Sequence, residues 1–251
     1  MEITHEVLFN RIRERPLDHL GCASPDFLQP YFWGYDLARA FHRQLTVKGH
    51  LDLRNFESWF GQKISGARQG FAAYCRLLTE SHQDALELFF ELRKLCLNEV
   101  PPSTRLLDQG LHATPDDKPL SMTDLTLCKN IRERPALYFG GGPKVRKLWA
   151  TWNGWIWAET DLGIGDSSDR QNFTGFQIWV DEKYSFTSKP NWGKVMDYLG
   201  MGNGEKGYEQ FYDHFESYLA GIGPGEPTIK CQHWIDEVVK NVKDRQAKGE
   251  L

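Results

Sequence analysis

Apolar residues recur at helical spacing through most of this chain, and they do so twice. Ser24-Pro25 reads as an N-cap followed by a proline suited to a first helical position. Phe27, Leu28, Tyr31, Tyr35, Ala38 and Phe41 then follow at the period of a helix. Pro30 either kinks the first turn of that helix or moves its start. Pro143 opens a counterpart with the stripe Val145, Leu148, Trp149, Trp152, Trp155 and Ile156. That stripe is broad, which implies burial on more than one side. Trp157 falls off it and is the tryptophan expected to be exposed.

The other elements pair in the same way. Helices over about 4–13 and 123–132 open the two halves, with Thr4 and Ser121 or Thr123 as N-caps. They should stop near Arg15 and Arg134, because the residue before a proline avoids helix. His19-Leu20-Gly21 and Tyr138-Phe139-Gly140 then read as turns. A third helix carries Phe56, Trp59 and Phe60, matched by Phe176, Trp179 and Val180. The segment 173–180 has some strand character, but its counterpart 55–63 reads as helix. A fourth carries Phe71, Tyr74 and Leu77, matched by Trp192, Val195 and Leu199. The fifth runs from Ser81 to about Leu97, with Ser81 and Asp84 resembling a capping box, and from Gly204 to about Leu219.

One pentapeptide anchors this pairing. Ile-Arg-Glu-Arg-Pro occurs at 12–16 and at 131–135, 119 residues apart, and the flanking matches drift only to an offset of 122. A motif duplicated with its packing neighbours points to architecture before catalysis. The expected fold is therefore all-α, with two tandem pseudo-equivalent modules at 1–99 and 121–222. Between them, 100–120 holds four prolines and the run Asp116-Asp117-Lys118 and reads as a linker. Residues 223–251 form a last helical segment from about Thr228, with the stripe Cys231, Trp234, Ile235, Val238 and Val242.

Composition narrows the function more than the fold. Of 251 residues, 40% are hydrophobic and 25% charged, the balance of an ordinary globular chain. The 9 Trp, 9 Tyr and 15 Phe let small modules bury much area per residue. A net charge of −4 gives no electrostatic case for nucleic acid. No apolar run approaches the roughly 20 residues of a membrane span. The polar start MEITHEVLFNRIRERP has no signal-peptide character. Five cysteines without a CxxC suggest reduced, mostly buried thiols and a cytoplasmic protein.

Candidate chemistry is thin. Gly140-Gly141-Gly142-Pro143-Lys144 lacks the spacing of a phosphate loop, and Pro143 removes an amide such a loop needs. His214 lies near Asp213 and Glu216, but Leu92 holds its place in the first copy, so a structural histidine is the simpler reading. Arg13, Arg15, Arg132 and Arg134 could together hold an anion; alternatively they pair with carboxylates within each module. No metal or cofactor is expected.

The pattern I-R-x-R-P-x-x-Y-x-G, then G-[YW]-x-x-A, F-x-x-[FW]-x-x-x-K and A-L-E-x-F-F-x-L, resembles a group of largely uncharacterised bacterial helical proteins. Some members look like immunity proteins encoded beside polymorphic toxins. Residues 131–140 match the opening motif best, with Tyr138 in the aromatic place; the first copy has His19 there. The resemblance implies a tandem member of that group and a cytoplasmic role in binding a cognate protein toxin.

The two copies differ most after their second helix. The loop 163–172 replaces the more basic segment 46–50. Asp161, Asp166 and Asp169, with Trp157 and Glu159 just before, would suit a basic partner surface. The alternative is a tolerated surface insertion. Other functions also remain open: an enzyme with an unrecognised site between the modules, favoured by convergence of His214, Asp213 and arginines, or a nucleic-acid-binding regulator with a basic face built from Arg11, Arg13, Arg15, Arg39 and Arg43.

Overall fold

The structure is a computed structural model and describes residues 5–42, 49–63, 70–100, 124–139, 142–164, 168–186, 188–225 and 240. Every regular element among them is helical. These are α1 (His5–Glu14), α2 (Pro16–Leu20), α3 (Leu28–Phe41), α4 (Gly49–Lys63), α5 (Gly70–Leu77), α6 (His82–Glu99), α7 (Asp124–Glu133), α8 (Pro135–Phe139), α9 (Val145–Asp161), α10 (Ser168–Tyr184), α11 (Trp192–Leu199) and α12 (Gly204–Leu219). A 3-10 turn, Pro25–Phe27, leads into α3. The all-α expectation holds, and 173–180 is helix. Apart from Val100, residues 223–225 and Lys240, the expected linker and C-terminal helix lie outside the described residues.

The helices fall into two compact units, Met1–Ser167 and Ser168–Leu251. The boundary lies inside the second sequence copy, so α7, α8 and α9 belong with the helices of the first copy.

The duplicated pentapeptide forms a joint between helices. Ile12 and Ile131 are both fully buried. The N–H groups of Arg15 and Arg134 close α1 and α7 on the carbonyls of Arg11 and Asn130. Pro16 and Pro135 then begin new short helices, where only turns were expected. A proline suits a first helical position because its N–H is not needed there and its φ is already helical. Gly21, at φ 72°, ends α2.

Local signals explain most of the other boundaries. Ser24 Oγ accepts the N–H of Asp26 before α3, and Pro30 sits in the first turn of α3, where a missing N–H leaves no helical bond unmade. Ser81 Oγ accepts the N–H of Asp84 at 3.1 Å and caps α6. Two expectations need correction. The segment read as a loop over 163–172 already turns into α10 at Ser168, so the backbone of Asp169 is helical. Leu77 is 80% exposed, because the short helix α5 buries Phe71 and Cys75, one turn apart, instead.

Each unit has an aromatic core. In the first, Phe9 packs on Phe32 at 4.5 Å, and Phe89 on Phe56 and Phe71 at 5.1 and 5.2 Å. The buried Arg93 lies 3.8 Å over Phe9 and bonds Glu6 and Asp52, tying α1, α4 and α6 together. A buried cation is tolerated because carboxylates and hydrogen bonds replace its water. In the second unit, Phe176, Trp192, Phe211 and Phe215 pack together through tilted and edge-on ring contacts. Trp179 Nε1 and Lys183 Nζ donate to the carbonyls of Ile222 and Pro224, which holds the chain after α12 against α10.

The first unit is organised about the crossing of α3 and α9. A methyl group on Gly34 would overlap the Thr151 carbonyl, and one on Gly154 would overlap the Tyr31 carbonyl. Ala38 and Ala158, one turn further on, are fully buried. Small residues let the two backbones meet without side chains between them. The contacts around this point come in pairs displaced by about 120 residues. Trp33 meets the Tyr138 ring at 4.6 Å, and Asn153 Nδ2 bonds the His19 carbonyl at 2.7 Å. Tyr35 bonds Asp161 at 2.8 Å, and Trp155 meets Phe41 at 5.6 Å.

Candidate functional site

The densest group of buried polar side chains lies at one end of this crossing. Asp161, on the last turn of α9, accepts from Arg11 at 2.8 and 3.1 Å and from the Tyr35 hydroxyl at 2.8 Å. Its side chain is 9% exposed. The bond to Asp161 raises the pKa of Arg11. Burial, with Asp161 beside it, pushes the Tyr35 hydroxyl well up, so Tyr35 is a donor here and not a base. Arg39, also buried, lies 6.0 Å from the Tyr35 ring centroid. Two residues back on α9, Glu159 is 1% exposed; its Oε1 accepts from Trp155 Nε1 at 2.9 Å and faces His42 Nε2 at 3.3 Å. Sequence proximity placed Glu159 and Asp161 on a partner-binding surface. The structure instead turns them inward, into the contacts joining α1, α3 and α9. The donors aimed at both carboxylates make them tie points between helices.

Trp157 is half-buried and completes a neighbouring stack. The His19 ring lies 4.4 Å from it and the Arg15 guanidinium 5.9 Å from its centroid. His19 Nδ1 meets the Tyr31 hydroxyl at 2.8 Å. Burial, helped by Arg15, pushes His19 down to about 4, so it is neutral near pH 7. Burial pushes the Tyr31 hydroxyl well up. His19, at the place where the resembled pattern has tyrosine, is thus a core residue. Sequence reasoning gave it no role; its match to Tyr138 was the available signal.

The remaining expected contacts are less central. Asp166 lies outside the described residues; Asp169 is placed only by its backbone in α10. Arg13 pairs with Glu87 and Glu91 of its own copy at 2.7 and 3.0 Å, but at the surface, where its side chain is 44% exposed. Arg15 pairs with Asp18. His214 Nδ1 must donate to the Gln210 carbonyl at 2.7 Å, which leaves Nε2 to accept from Tyr184. Burial lowers its pKa, so it too is neutral. No group of three or more His, Cys, Asp or Glu suited to a metal ion occurs among the described residues, and no described helix is long and apolar enough to cross a membrane.

An outward feature stands apart from these. The helices α9, α11 and α12 end in the same motif, with two reversed hydrogen bonds around a residue in the left-handed region. That residue is Gly163 in α9, Gly221 in α12 and Met201 in α11, with φ of 71°, 71° and 56°. A side chain there costs about 1–2 kcal/mol, yet Met201 is 81% exposed. Tyr198, three residues earlier, is 48% exposed. Gly200 lies against the backbone of Asn203 and Gly207, so the turn is firmly packed. The sequence gives no apolar period here, which is why this position escaped notice.

Comparison with known proteins adds no relative: no family model, no curated protein and no solved structure matches the chain.

Proposed function

We propose that this chain is a protein-binding module, and that it serves as an immunity protein that neutralises a cognate bacterial toxin in the cytoplasm by direct binding. The observation that carries the reading is Met201. An apolar side chain occupies a costly backbone position where two sister helix ends use glycine, and it is held out to solvent on a rigid turn. Glycine would close the same turn without strain, so a methionine held out to solvent there supports selection for contact, and methionine adapts well to partner surfaces. The resemblance to toxin-associated immunity proteins supplies the class of partner. Asp166 and Asp169 supply a second, acidic contact for a basic toxin surface.

The test pairs stability with affinity. Met201→Gly should melt at the wild-type temperature or above, because glycine relieves the left-handed strain. Its affinity for the proposed toxin partner should fall at least about tenfold, or roughly 1.4 kcal/mol. Unchanged affinity removes Met201 from the interface. Asp166→Lys and Asp169→Lys should weaken binding more at low salt than at moderate salt; wild-type affinity and salt dependence in both would exclude the loop.

A further inference from the structure

We propose that the α3–α9 contact also fits a second copy of this chain, so that two copies associate by docking α3 of each on α9 of the other. In a two-fold dimer interface, whenever residue i of one subunit touches residue j of its partner, j of the first touches i of the second. The crossing has that property within one chain. Gly34 meets Thr151 and Gly154 meets Tyr31, a pair displaced by 120 residues. Trp33 with Tyr138 answers Asn153 with His19. Tyr35 with Asp161 answers Trp155 with Phe41. Three independent pairs of contacts therefore obey the exchange rule of a homodimer, although in two of them the chemistry has diverged between ring packing and hydrogen bonds.

Nothing in these contacts requires both partners to come from one chain. The peptide between Val100 and Asp124 spans 24 residue steps, and at about 3.3–3.6 Å per step it can reach some 80 Å. That reach suffices to carry α7–α9 to a neighbouring molecule. Exchange of an identical element preserves every contact of the closed chain and costs mainly the entropy of association, so concentration decides between the two forms.

Cysteines placed across the peripheral Trp33–Tyr138 contact test this directly. One full-length chain carries Trp33→Cys and a second carries Tyr138→Cys. The two are refolded together from denaturant at high protein concentration and oxidised mildly. The expected product is a covalent heterodimer whose digest yields a peptide linking positions 33 and 138, enriched over anything either variant gives alone. The double variant W33C/Y138C, refolded dilute, reports the same link within one chain. If the double variant forms its internal link and the mixture gives no link between chains, the exchange is overturned. If the double variant gives no link either, the α3–α8 contact on which the inference stands is itself refuted.

Discussion

Gly34 of α3 stands so close to Thr151 of α9 that any β-carbon at position 34 would overlap the Thr151 carbonyl. Gly154 stands in the same relation to Tyr31. Gly34→Ala and Gly154→Ala should therefore each lower stability by about 1–3 kcal/mol, as forced overpacking does, despite the better helix propensity of alanine. Gly61 is the internal control: it lies in α4 with open space around it. Gly61→Ala should leave stability unchanged or raise it by about 0.5–1 kcal/mol. Chemical denaturation of the three variants measures the contrast.

Asp161 carries a second expectation. Removing its carboxylate strands the Tyr35 hydroxyl and the Arg11 guanidinium, so Asp161→Ala should cost about 2–4 kcal/mol. The measurement is thermal unfolding alongside affinity for the proposed partner. A wild-type melting temperature with lost affinity would return Asp161 to the partner surface that its sequence position suggested.

His19 makes stability depend on pH. Its folded pKa, about 4, lies below the usual value of 6.5. Between those values the unfolded chain binds a proton that the folded chain does not, so stability falls as pH drops from about 6.5 to about 4 and is fully present above that window. His214 is shifted in the same direction. Urea unfolding across pH 4–7.5 should show a slope in this window, and His19→Gln should reduce it while His214 maintains the remainder. An identical slope in His19→Gln would contradict the burial of a neutral His19.

The parts of the fold legible in the sequence were those set by neighbours. The caps at Ser24 and Ser81 follow from local end signals, and the helix over 173–180 from its match to the helical segment 55–63. The short helices α2 and α8 were missed because a proline that ends one helix can also begin the next. Leu77 was placed in the core because period alone does not tell how short α5 is. The inward placement of Glu159 and Asp161 was not legible for a different reason. A carboxylate on a helix reads as solvated unless its partners are known, and theirs come from His42, Tyr35 and Arg11, more than 100 residues away. The turn at Met201 was illegible because left-handed backbone in a non-glycine residue leaves no mark in the sequence.

If this chain acts by binding a protein, an inhibition titration will show it. A candidate toxin, the partner class proposed above, is held at fixed concentration, its activity is followed, and purified chain is added. Toxin activity should be lost completely at a fixed, stoichiometric ratio, with a stable complex and no change in the covalent mass of either protein. Activity that survives excess chain without complex formation, or inhibition at far below one chain per toxin, would contradict it.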